Sequence, residues 1–155
     1  MKDHLNYYKK IKFAVTVSVD DISKAKLADQ RFNFYFQNKI IPMDLKDKSI
    51  LEFGAGTGYN AHYLLKNCDI KDISLIEKNP SSLKNLKKNL SNFKNAKIKD
   101  INIFKYKPKK KYDLVICENA IDGFDNASLV FKKIMDSTKK NGQILLTFGD
   151  NFGIF

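Results

Sequence analysis

The order of apolar and polar positions along the chain divides it into blocks of two kinds. Short, mainly apolar runs predict strands at Ser49–Phe53, at Asp72–Glu77 around Ile73-Ser74-Leu75-Ile76, and at Tyr112–Cys117 around Leu114-Val115-Ile116, with a less apolar third strand at Ala96–Asp100. A further strand, Gln143–Phe148, follows a turn at Asn141-Gly142. Helical spacing lies between them. Ile22, Ala25, Ala28, Phe32, Tyr35 and Phe36 form one apolar face, opened by Asp20 or Asp21 as cap and stopped by Pro42. Ala61, Leu64 and Leu65 mark a second helix. Leu83, Leu86 and Leu90 mark a third, started by Asn79-Pro80, since proline suits the first helical position. Leu129, Val130, Ile134 and Met135 give Asn126–Thr138 its apolar side. Residues 1–20 are polar and aromatic without a clear period, and there is no internal repeat or long linker.

Strands alternating with helices predict parallel βαβ units, hence an α/β fold of three layers. The strands are nearly all apolar, as expected when helices cover both sides of a sheet. In open sheets of this kind, ligands lie beyond the carboxyl ends of the strands. Those ends are therefore where the chemistry is sought.

The three glutamates of the chain, Glu52, Glu77 and Glu118, all fall at carboxyl ends of predicted strands, the first, second and fourth, and Asp100 closes the third. Four acids converging on one edge repel one another unless a ligand supplies hydroxyl donors, amines or a positive centre. Strand ends also meet solvent, which accounts for any one of these acids but less well for the set. Beside them lies Gly54-Ala55-Gly56-Thr57-Gly58, directly after a strand and before a helix. Glycines there let a ligand approach the backbone, and the helix start offers unpaired N–H donors. The spacing departs from the dinucleotide fingerprint G-x-G-x-x-G, whose third glycine would stand where Tyr59 is. It lacks the Gly-Lys-Ser/Thr of a phosphate loop, having Gly58-Tyr59-Asn60 instead. Tyr59 and Asn60 are placed to meet the same ligand.

Composition narrows the classes further. A chain of 155 residues fits one domain with a proper core, and 43% hydrophobic content excludes a disordered chain. No apolar run approaches the roughly 20 residues of a membrane span. MKDHLNYYKKIK has no apolar stretch after its basic residues, so a secretory signal is not expected. Cys68 and Cys117 make neither a disulfide framework nor a metal site, and a soluble cytoplasmic protein is expected. The formal charge of +11 would suggest a polyanion partner, but Arg31 is the only arginine among 28 basic residues. Arginine is the preferred fork for phosphates and base edges, so generic lysine enrichment is the favoured explanation and nucleic acid the less favoured partner. The run Lys107–Lys111 reads as a solvated loop.

The segment Glu52-Phe53-Gly54-Ala55-Gly56-Thr57-Gly58 resembles motif I, acid-x-G-x-G-x-G, of the class I S-adenosylmethionine-dependent methyltransferases. The resemblance spans roughly residues 48–150. It implies a Rossmann-like sheet of order 3-2-1-4-5 and a cofactor site. Glu52 would sit near the methionyl ammonium or shape the turn, and Gly54, Ala55, Gly56 and Gly58 would give backbone contacts. Glu77 would accept from the ribose hydroxyls, with Lys78 beside it, and Asp100 from the adenine amine, with Ile101 or Asn102 bordering the ring. Glu118 would occupy motif IV, touching the cofactor or acting as a base, and Asp122 and Asp125 are further base candidates by position. No metal is implied. The stretch His4–Ala14 followed by Asp20-Asp21 is similar to the leader of methyltransferases in bacterial surface-polysaccharide clusters.

The implied function is methyl transfer to an O or N nucleophile of a small-molecule or sugar-like acceptor. The alternative is an inactive remnant or partner subunit that still binds the cofactor. A base-modifying nucleic-acid enzyme would carry Asn/Asp-Pro-Pro-aromatic at motif IV, where this chain has Asn119-Ala120-Ile121-Asp122. The implied division is an acceptor-side leader and helix, residues 1–45, and a cofactor domain, residues 46–155. The family's sixth and seventh strands are not found in the sequence, which predicts a truncated domain and pairing of copies through the fifth-strand edge. His62 and Cys117 read as packed residues, His4 as an incidental surface residue, and Tyr7, Tyr8 and Phe13 as packing groups or a cover over the pocket.

Overall fold

A computed structural model describes residues 22–121 and 126–147, the first six as backbone only. Helix α1 (Ile22–Gln37) leads into β1 (Ser49–Phe53), α2 (Tyr59–Asn67), β2 (Asp72–Glu77), α3 (Pro80–Asn89) and β3 (Ala96–Asp100). A short 3-10 turn (Ile103–Lys105), β4 (Tyr112–Glu118), α4 (Ala127–Ser137) and β5 (Thr138–Thr147) follow. The strands form one sheet of order β3-β2-β1-β4-β5, every pair parallel. This is the three-layer α/β arrangement predicted from the alternation of blocks.

Each strand sends alternate side chains to opposite faces, and the two faces carry separate cores. Ile50, Ile73, Leu75, Leu114 and Ile116 pack under α1, α2 and α3 with Phe32, Leu64 and Leu86. Leu51, Phe53, Ile76, Val115 and Cys117 pack on the other face with Val130 and Ile134 of α4 and with Ile103 and Tyr106. Burying a side chain of this size stabilises the fold by about 1.5–3 kcal/mol. The same parity fixes the acids. Glu52 follows Ile50 by two, Glu77 follows Leu75, Glu118 follows Ile116 and Asp100 follows Ile98, so all four project toward the face covered by α1–α3.

Several boundaries differ from expectation. Helix α1 ends five residues before Pro42, in a Schellman-type cap. Lys39 takes φ 55°, its N–H donates to Phe36 O at 3.0 Å, and the Ile40 N–H donates to Tyr35 O at 2.8 Å. In α4 only the Val130 and Ile134 parts of the expected stripe are buried, while Leu129 and Met135 are 39% and 51% exposed. A single helix on the outer side of a sheet buries a narrow seam, and flanking positions remain in water. Strand β5 begins at Thr138 rather than Gln143, with its register against β4 broken between Tyr112 and Leu114. A Cβ on Gly142 would meet Tyr112 O at 2.9 Å, so a close backbone approach, rather than a free turn, explains that glycine. Lys110 is not simply solvated: its Nζ donates to both oxygens of Asp72, at 2.7 and 2.8 Å, and lies 5.1 Å from the Tyr112 ring centroid. His4, Tyr7, Tyr8, Phe13, Asp20, Asp21, Asp122, Asp125 and Phe148 lie outside the described residues.

Candidate cofactor site

The turn from β1 into α2 is built by three left-handed glycines, with φ of 70° at Gly54, 57° at Gly56 and 91° at Gly58. A side chain at Gly54 would meet Ala120 Cβ at 2.6 Å, so the close approach of the loop after β4 requires glycine there as much as the φ does. The loop is pinned from below by the Gly54 N–H, which donates to Ile76 O at 2.9 Å.

Glu77 closes the loop from the side. Its Oε2 accepts from the Gly56 N–H at 2.8 Å, and its Oε1 accepts from the Lys78 and Asn79 N–H groups, both at 2.7 Å. Burial nonetheless dominates and raises its pKa, with those three backbone bonds opposing and the Asp100 charge adding to the rise. Asp100 stands opposite Glu77 in the β2–β3 register and accepts from Lys78 Nζ at 2.7 Å. The exposed Asp100 carboxylate, half-buried Lys78, Ile101 and Asn102 thus surround Glu77 on the outer side of the edge.

A second cluster lies on the inner side. Asn60, in the first turn of α2, donates through Nδ2 to Glu52 Oε1 at 2.8 Å and to Glu118 Oε2 at 2.7 Å. Helix α1 reaches over these groups with two residues one turn apart. Tyr35 donates its hydroxyl to Glu118 Oε1 at 2.5 Å, and Arg31 Nη2 donates to Asn60 Oδ1 at 2.8 Å. Arg31 Nε is 3.2 Å from Glu118 Oε1 as an ion pair, at an angle outside hydrogen-bond geometry. Burial, then the bond to Glu118 and its charge, raise the Tyr35 pKa, keeping the phenol a donor.

Glu52 is the most enclosed member, 3% exposed, and its Oε2 is buried with no hydrogen-bond partner among the described residues. Burial pushes its carboxyl up to about 8; the Asn60 bond and Arg31 oppose this, while Glu118 and Glu77 reinforce it. A buried oxygen without a partner is costly. Its position beside the glycine loop marks the point where a donor or cation from a ligand would be received.

The residues expected to form the site therefore come together: Glu52, Gly54, Ala55, Gly56, Gly58, Tyr59 and Asn60 on the turn, Glu77, Lys78, Asp100 and Ile101 on one flank, and Glu118 on the other. Arg31 and Tyr35 were not anticipated as part of it. Their spacing puts both on one face of a helix, and the uniqueness of the arginine was a usable signal. His62 packs edge-on against Phe93 and Cys117 is fully buried, the packed roles expected of them. Among the described residues no group of histidines, cysteines and acids could hold a metal ion, and no helix is long and apolar enough to cross a membrane.

A family model described as a methyltransferase domain matches residues 51–144. Two proteins of Ilyobacter polytropus described as malonyl-[acyl-carrier protein] O-methyltransferases 2 and 1 are 30% and 28% identical over 102 and 106 residues, covering 65% and 68% of this chain. The matches cover 39% and 40% of those relatives, so the chain spans about two fifths of their length. Among solved structures, the N-methyltransferase NodS of Bradyrhizobium japonicum, in complex with S-adenosyl-L-homocysteine, superposes with a TM-score of 0.71 at 10% identity, over 92% of this chain and 71% of its own. Coclaurine N-methyltransferase superposes with a TM-score of 0.64 at 17% identity, over 76% of this chain and 34% of its own. At such identities these two structures speak to the fold.

Proposed function

Since this chain belongs to the methyltransferase-domain family, we propose that it binds S-adenosylmethionine at the carboxyl edge of its sheet. We propose further that it transfers the methyl group to an oxygen or nitrogen nucleophile of a small-molecule or sugar-like acceptor. The observation that carries this reading is the buried Glu52 oxygen, without a partner among the described residues, beside a left-handed glycine turn, with further acids at the ends of the neighbouring strands. These residues fit the cofactor: an aminoacyl group with its ammonium toward Glu52, a ribose toward Glu77, and an adenine bordered by Asp100 and Ile101. When bound, the cofactor supplies an activated methyl group on a sulfonium with a neutral thioether as leaving group.

The chain's own contribution is to bind and to orient. Gly54, Ala55 and Gly56 offer a backbone wall without side chains in the way. The Glu77 carboxylate has about four acceptor sites, three of them taken by backbone N–H groups. It can accept one ribose hydroxyl as it stands, and a second only by releasing one of those groups. Asn60 donates to both Glu52 and Glu118 and so ties the two acids together.

Glu118 serves in this reading as an anchor for α1 rather than as a base. Both of its oxygens are engaged, by Tyr35 and Arg31 on one side and Asn60 on the other. That saturation favours transfer that relies on proximity and alignment. It also supports the second reading, a cofactor-binding unit whose acceptor chemistry is completed by a partner. Calorimetry with S-adenosylmethionine and its demethylated product tests the first step, with micromolar-range binding expected and absence of heat rejecting the proposal. Turnover with O- and N-acceptors, alcohols and amines assayed in parallel, separates the enzyme from the partner subunit.

A further inference from the structure

Glu52 presents a charge problem that the cofactor reading alone leaves open, and the inference drawn here rests on that reading. Among the described residues the charges acting on this carboxyl are those of Glu118, Glu77 and Arg31. Glu118 is reached through the shared Asn60 amide, Glu77 lies on the neighbouring strand, and Arg31 comes from α1. Tyr35 touches Glu118 and stays protonated. Two acids therefore disfavour a charged Glu52, while one cation, held at Asn60 and Glu118, favours it. Among the described residues the Oε2 atom has no hydrogen-bond partner. A proton on the carboxyl would remove the repulsion in the free protein but would leave Oε2 without a hydrogen-bond partner. An incoming cation settles it in the bound one, because a positive group beside Oε2 supplies the missing partner and offsets the repulsion.

We propose that uptake of the cofactor displaces one proton from Glu52, with Asn60 holding the carboxylate in register and Arg31 setting the pH at which the exchange occurs. The O–H bond of the carboxyl breaks, its electron pair stays on the carboxylate, and the proton passes to water or buffer. With the free carboxyl titrating at about 8, affinity rises by up to about tenfold per pH unit below that range, until loss of the ligand's own ammonium proton reverses the gain.

The test is calorimetric titration of the full chain with S-adenosylhomocysteine at about pH 7, in buffers of low and high ionisation enthalpy. The wild type should release close to one proton per ligand bound beyond the release seen in Glu52→Gln. The ligand's own amine contributes to both proteins, so the difference isolates Glu52. In Arg31→Gln the midpoint of release should move to higher pH. Equal proton release by wild type and Glu52→Gln overturns the proposal. Should circular dichroism show that Glu52→Gln does not fold, the Arg31→Gln midpoint decides, and an unmoved midpoint overturns it. Absence of binding heat from the wild type at any pH instead rejects the cofactor reading itself, and this inference with it.

Discussion

At the level of single residues, the site divides into atoms that tolerate no addition and atoms that tolerate no loss. Gly54 is of the first kind: Gly54→Ala forces a Cβ to 2.6 Å from Ala120 Cβ at a φ of 70°. Left-handed strain and the clash together should cost about 1–3 kcal/mol, read as a lower midpoint in urea unfolding. An unchanged midpoint would show that the loop after β4 shifts freely. Glu77 is of the second kind. Glu77→Ala removes the acceptor for three backbone N–H groups as well as the proposed ribose contact. Loss of about 1–3 kcal/mol in cofactor binding is expected by calorimetry, together with faster hydrogen exchange at Gly56. Undiminished affinity would remove Glu77 from the site. The glutamates were legible beforehand because they are rare and sit at strand ends, a matter of one-dimensional order. Arg31 was flagged only by being the single arginine, and Tyr35 by nothing, since their role depends on where α1 crosses the sheet and nothing local in the helix encodes that crossing.

Elements differ in how far their own sequence determines them. Strand β2 matches its predicted limits because its apolar run, Ile73 to Ile76, is short and bounded by Lys71-Asp72 and Glu77-Lys78. Helix α3 is likewise self-defining. Asn79 accepts from the Ser81 and Ser82 N–H groups, at 3.0 and 3.4 Å, and proline follows at the first helical position. Asn79→Ala should lower stability by about 1 kcal/mol, up to 2 because the site is buried, measured by thermal or denaturant unfolding. The end of α1 misled because proline is a loud stop signal and a left-handed lysine is a silent one. The helix had already turned at Lys39 before Pro42 could act. A glycine at this cap position carries no left-handed penalty. Lys39→Gly is therefore expected to raise stability by about 0.5–1 kcal/mol, and a fall in the unfolding midpoint would argue against the cap. Strand β5 was misplaced for a related reason, since pairing with β4 begins ahead of the register break and pattern alone does not reveal it.

For the molecule as a whole, the two edges of the sheet carry opposite electrostatic arrangements, and their sum predicts how stability follows pH. At the amino edge the acids are paired. Burial raises the Asp72 pKa, but the Lys110 hydrogen bond, with Lys110 and Lys97 charges, outweighs it and holds the carboxyl below its usual range. Asp113 behaves in the same way, burial being outweighed chiefly by Lys139, with the Ser49 N–H assisting. These groups stabilise the fold above the unfolded carboxylate range and lose that contribution as pH falls through their lowered values. At the carboxyl edge the sign reverses. Glu52 titrates at about 8 in the fold, against 4.5 for an unperturbed glutamate. Between those values the native state holds a proton that the unfolded state has released, so stability falls as pH rises across this window. Glu77, raised by burial, adds to the fall. The melting temperature of the wild type should therefore peak at mildly acidic pH, about 5, and decline toward 8. Glu52→Gln should flatten most of that decline while leaving the acid limb, which belongs to Asp72 and Asp113, in place. Saturating cofactor should flatten it too, because a bound cation compensates the charge that the fold alone leaves exposed to repulsion. A wild-type curve that keeps rising to pH 8 would show that Glu52 is ionised without a ligand, and that the carboxyl edge is balanced by the protein itself.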